Sequence, residues 1–161
     1  MKEKENETGT TGWEVLRLSL GQILFLVEET RKVFPIESCG FLFGEFTEEE
    51  IVVKKIVPVP NIVPTIFEPD LKDSNFEIDG GTVGAALEES EPKLRGFFHS
   101  HPAPAVPSSK DIKYMKPWGE DYVWVILSTL KYGGIGAYRI RNGQPERVTI
   151  YFYKEKEPYP Y

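Results

Sequence analysis

The chain has only two histidines, and they stand two residues apart in Phe97-Phe98-His99-Ser100-His101-Pro102. On a β-strand, residues i and i+2 point to the same face, so both imidazoles can reach one point in space. That is the arrangement two nitrogen ligands need around one zinc ion, at about 2.0–2.1 Å each. Asp111 follows at an expected helix start and offers a hard oxygen donor. Two nitrogens and one oxygen leave a fourth tetrahedral position for water, which separates a catalytic zinc from a structural one. Two plainer readings stand beside this. A His-x-His pair on a strand also suits a satisfied core pair. Ser108-Ser109-Lys110-Asp111 also fits the serine-x-x-acid capping box that opens many helices. Capping and ligation are compatible, because a capping turn fixes where the aspartate points.

Glu37, in Pro35-Ile36-Glu37-Ser38-Cys39-Gly40, stands just before an apolar run, where a lone glutamate is ordinarily a solvated surface charge. Cys39, the only cysteine, reads as a small buried apolar residue rather than a ligand or nucleophile. Gly80-Gly81-Thr82-Val83-Gly84 lacks both the dinucleotide-binding spacing and the lysine of a phosphate loop.

The elements that must position these groups follow from periodicity. Residues 13–20 alternate apolar and polar side chains, the mark of a half-buried strand. Residues 21–34 carry apolar side chains at helical spacing, and Pro35 ends that helix. Residues 39–46 form a nearly unbroken apolar run with Gly40 and Gly44, expected of a buried strand approached closely by another backbone or a ligand. Strands are expected at 51–59, 94–101, 122–129, 137–141 and 148–153, and short helices at 82–89 and from 109 to 116. Asn142-Gly143 is a strong hairpin signal, and Gly133-Gly134-Ile135-Gly136 reads as a turn. Residues 61–78 read as irregular loop, and 103–107 as a stiff, proline-rich one. The sum is an α+β domain built on one curved mixed sheet.

The 161 residues suffice for one domain with a real core, expected over 13–154 between a disordered leader (1–12) and a frayed tail (155–161). Apolar residues at 40% and charged residues at 27% describe a globular composition. No apolar run approaches the roughly 20 residues of a membrane span, and the polar N-terminus lacks the apolar core of a secretory signal. The single cysteine suits a reducing compartment, so the cytoplasm is expected. A net charge of −6, with both signs mixed along the chain, disfavours nucleic acid as a partner.

Taken together, the motifs resemble the JAMM (MPN+) metalloprotease family: a glutamate before a glycine-rich apolar strand, then His99-Ser100-His101-Pro102, then Pro107-Ser108-Ser109-Lys110-Asp111. The likeness spans residues 15–153 and includes Pro60-Asn61 after the second sheet segment. The loop between His101 and Ser108 is one residue shorter than the family's usual one; reading Ser108 as the motif serine keeps the Ser-x-x-Asp spacing. The resemblance implies a barrel-like, cytidine-deaminase-like sheet flanked by helices. It implies zinc on His99, His101 and Asp111, Glu37 as proton shuttle, and Ser108 as donor to the oxyanion. Ser100 is expected to face away from the metal. The implied reaction is hydrolysis of the isopeptide or peptide bond after the C-terminal Gly-Gly of a ubiquitin-like or sulfur-carrier protein. The tail would add as an extended strand beside 61–78 and the loop after His101. Release of an amino acid from a sulfur-carrier C-terminus uses the same chemistry. A scaffold binding a ubiquitin-like protein, and a DNA-repair relative, are the alternatives from other classes; the acidic balance counts against the last.

Overall fold

The computed structural model describes residues 12–62 and 76–155; most of the expected leader, the middle of the 61–78 loop and nearly all of the expected tail lie outside the described residues. Strand β1 (Val15–Ser19) runs directly into helix α1 (Leu20–Val33). Ser19 caps that helix in a reciprocal box with Gln22: the serine hydroxyl accepts the Gln22 N–H at 3.1 Å, and the Gln22 side chain accepts the Ser19 N–H at 2.9 Å. The helix stops where Phe34 turns extended before Pro35, as the ring of a following proline requires.

Strands β2 (Cys39–Phe46) and β3 (Glu50–Val59) form an antiparallel pair. After α2 (Gly80–Glu88) come β4 (Lys93–His101), α3 (Ser109–Met115) with a 3-10 turn (Lys116–Trp118), and β5 (Val123–Ser128). Strands β6 (Ile135–Arg141) and β7 (Gln144–Tyr153) complete the chain. The seven strands close into a mixed barrel in the order β1-β3-β2-β4-β5-β6-β7. β1 runs parallel to both β3 and β7, and β4 runs parallel to β5. The expected α+β architecture, one barrel-like sheet flanked by helices, is the observed one.

β2, β4 and β5 are buried on both faces, and period-2 alternation sorts their side chains into two cores. Leu42, Phe98, Val123 and Val125 pack with Leu26 of α1. Phe41, Phe43, Phe97, Trp124 and Ile126 pack with Met115 and Tyr114 of α3. The two glycines of β2 answer to that crowding. A Cβ on Gly40 would strike the Val57 carbonyl and the Phe98 ring, and one on Gly44 the Val52 carbonyl.

Strands β6 and β7 both begin earlier than expected. β6 starts at Ile135 rather than after Gly136, because Ile135 and Gly136 pair with Leu127 and Ile126 and so enter the ladder. β7 starts at Gln144, since Asn142 and Gly143, both at positive φ (53° and 75°), reverse the chain in two residues.

Candidate metal centre

β4 delivers both histidines. Its register places His99 opposite Cys39 of β2 on one side and Ile126 of β5 on the other, deep in the sheet. The His101 carbonyl accepts the Thr129 N–H at 2.7 Å, which fixes the strand's end. The two Nε2 atoms lie 3.0 Å apart.

Asp111 arrives from α3, and the capping box expected from the sequence is what aims it. The Ser108 hydroxyl accepts the Asp111 N–H at 3.1 Å, and Asp111 Oδ2 accepts the Ser108 N–H at 2.9 Å. The same Oδ2 stands 3.2 Å from His99 Nε2 and 2.9 Å from His101 Nε2. Ser109 is the exposed first residue of the helix and takes no part in the box.

Glu37 is not a solvated surface charge. It is 2% exposed, and its Oε1 lies 3.8 Å from His101 Nε2. Potential ligand atoms of Glu37, His99 and His101 all fall within 4.8 Å of one another. Its backbone is held from just beyond β3, where the Asn61 amide donates to the Glu37 carbonyl at 3.1 Å. Ser100, between the histidines, turns the other way: its hydroxyl accepts the Ser38 N–H at 2.8 Å.

The electrostatics suit a cation. Burial lowers the His99 pKa against the opposing pull of Asp111, which favours the neutral ring, the form that binds a metal ion. Burial of Asp111 alone would favour its acid form. Hydrogen bonds from His101 and His99, with the Ser108 N–H, outweigh that and hold the carboxyl far below its ordinary value. Two imidazole nitrogens and one carboxylate oxygen therefore form a triangle with edges of 2.9–3.2 Å. Tetrahedral ligands at zinc distances stand about 3.3 Å from one another. The donor set and its spacing fit zinc, with the Glu37 carboxylate beside it. Burial, then the charge of Glu37, pushes the Cys39 thiol up to about 12, which fits the apolar role expected for it.

Sequence reasoning did not find two neighbours of the centre. Asn61, noted only as part of a motif, holds Glu37. Phe76 stacks on the His99 ring with centroids 4.3 Å apart. An asparagine after Pro60 at a strand's end was the visible signal for the first; Phe76 carries no local signal.

The pattern of prokaryotic homologues of the JAB domain matches residues 22–141. A Pyrococcus furiosus protein named desampylase is 37% identical over 97 residues, which are 58% of this chain and 60% of that one. The match thus spans less than two thirds of that relative's length. The solution structure of a Desulfitobacterium hafniense protein superposes with a TM-score of 0.68 at 21% identity, covering 87% of this chain and 94% of that one. No helix among the described residues is long and apolar enough to cross a membrane. With its motifs in order, its barrel closed and three quarters of its length matched, the chain belongs to the prokaryotic JAB-domain family, the family its motifs resemble.

Proposed function

We propose that this chain is a zinc-dependent hydrolase of the isopeptide or peptide bond that follows the C-terminal Gly-Gly of a ubiquitin-like or sulfur-carrier protein. The observation that carries the proposal is the meeting of His99, His101, Asp111 and Glu37, from three separate segments, at one buried point. Likeness to a protein named desampylase supports the substrate class.

Zinc held by His99, His101 and Asp111 would polarise the scissile carbonyl and bring the pKa of a water down to about 7. Glu37 takes the proton of the attacking water and hands it to the leaving amine, within reach of His101 and with its backbone pinned by Asn61. The Ser108 oxygen accepts the Asp111 N–H and keeps its O–H for donation; its role is to donate to the oxyanion, a contact of a kind worth about 3 kcal/mol. No side chain forms a covalent intermediate, and Cys39, protonated and buried, stays out of the reaction. A thiol kept reduced suits work in the cytoplasm.

The reading is tested by metal analysis joined to turnover. One zinc per chain is expected in the wild type and in Glu37→Gln, and none in His101→Ala. Cleavage of a ubiquitin-like protein fused through its Gly-Gly should belong to the wild type alone. Cleavage that persists in His101→Ala would contradict it.

A further inference from the structure

We infer that Phe76 is a positioning residue for His99, fixing by stacking the ring rotation that a hydrogen-bond acceptor fixes for most metal-binding histidines. The inference rests on the reading of His99 as a zinc ligand. The second nitrogen of such a histidine ordinarily donates to a carboxylate, a carbonyl or water, which sets the rotation of the ring. The torsion that turns an imidazole about its Cβ–Cγ bond is otherwise broad.

His99 Nδ1 is buried and has no hydrogen-bond partner among the described residues. The ring plane is set by a stack instead. Phe76 lies against one face with its plane only 24° from that of the imidazole. Phe76 is itself fixed from two sides. The Tyr114 ring meets it edge-on at 5.6 Å, and Tyr114 belongs to α3, the helix that carries Asp111. The next residue is tied to the end of β3: the Glu77 N–H donates to Asn61 Oδ1 at 3.0 Å, and the Glu77 carbonyl accepts the Ile62 N–H at 2.8 Å. Asn61 also holds the Glu37 carbonyl. The ring that orients His99 is therefore built on the same asparagine that places the proton shuttle.

Zinc affinity of the full chain, measured by competition with a chromophoric chelator, tests this in Phe76→Ala, Phe76→Leu and Phe76→Tyr. Phe76→Ala should weaken binding about tenfold or more, the scale on which outer partners of a ligand act. Phe76→Tyr keeps the flat face and should restore wild-type affinity. Phe76→Leu fills the space without a plane and should remain weakened. Wild-type affinity in Phe76→Leu would reduce the contact to space filling and overturn the inference, as would unchanged affinity in Phe76→Ala. If Phe76→Ala fails to fold, the contrast between Leu and Tyr decides the question alone. A wild-type chain that binds no zinc would overturn the proposed function and this inference together. A zinc-binding wild type with indifferent Phe76 variants would overturn only the inference.

Discussion

Ser100 and Ser38 are joined twice: the Ser100 hydroxyl accepts the Ser38 N–H at 2.8 Å, and the Ser38 carbonyl accepts the Ser100 N–H at 3.0 Å. Ser100 stands between the two histidines, and Ser38 directly follows Glu37. The pair thus ties the residue after Glu37 to the residue between the two imidazoles. A third partner, Thr30 of α1, lies 2.9 Å from the Ser38 hydroxyl.

Ser100→Ala leaves the Ser38 N–H buried without its acceptor. That should cost about 1–3 kcal/mol of stability, read from urea unfolding with metal chelated. Turnover should fall as well, since Glu37 loses an anchor. Unchanged stability and turnover would show that the bond holds nothing in place.

Glu37→Gln keeps the size of the side chain and removes its basicity. Zinc content should stay at one per chain while kcat drops about 10²–10⁴-fold, the usual worth of a positioned acid–base group. His101→Ala should lose metal and turnover together. A fully active Glu37→Gln would remove the glutamate from the mechanism.

The two adjacent serines should behave differently. Ser108→Ala removes the cap of α3, costing about 1 kcal/mol, and frees Asp111 to turn, so zinc affinity and turnover should both fall. Ser109→Ala, at an exposed helical position, should change neither. Equal effects at the two sites would contradict the assignment of Ser108 as the motif serine.

Cys39 supplies a pH-based prediction. The thiolate is the reactive form, and with its pKa pushed up to about 12 the thiol stays protonated through neutral and mildly alkaline pH. A thiol-specific disulfide reagent at pH 8 should find no reactive cysteine in the native chain and one after denaturation. Turnover should survive the reagent. Inactivation that tracks Cys39 modification would point to a thiol in the chemistry.

Much of this scaffold was legible from local pattern, and the failures have physical causes. The buried run 39–46 is β2 to the residue, because a strand covered on both faces needs an unbroken apolar stretch. Helical spacing predicts α1 one residue late at each end, since Ser19 reads as strand rather than as the cap. The glycines at 133–136 suggested a turn that ends too late, because pairing with β5 outweighs the poor strand preference of Gly136. His99 and His101 share a face as the two-residue period requires. The burial of Glu37 was not legible. It depends on bonds to Ser38 and Asn61 made across the sheet, and no window around Pro35-Ile36-Glu37 contains them. Phe76 meets His99 only because the segment after β3 returns to Asn61, a long-range closure with no periodic signature.

The measurement that bears most directly on the central claim is cleavage of a ubiquitin-like protein joined through its C-terminal Gly-Gly to a lysine side chain. It is run with zinc, with a chelator, and with Glu37→Gln. The account predicts release of the protein at the Gly-Gly bond by the zinc-loaded wild type alone. Cleavage that survives chelation or the loss of Glu37, or a zinc-loaded wild type that leaves the bond intact, would contradict it.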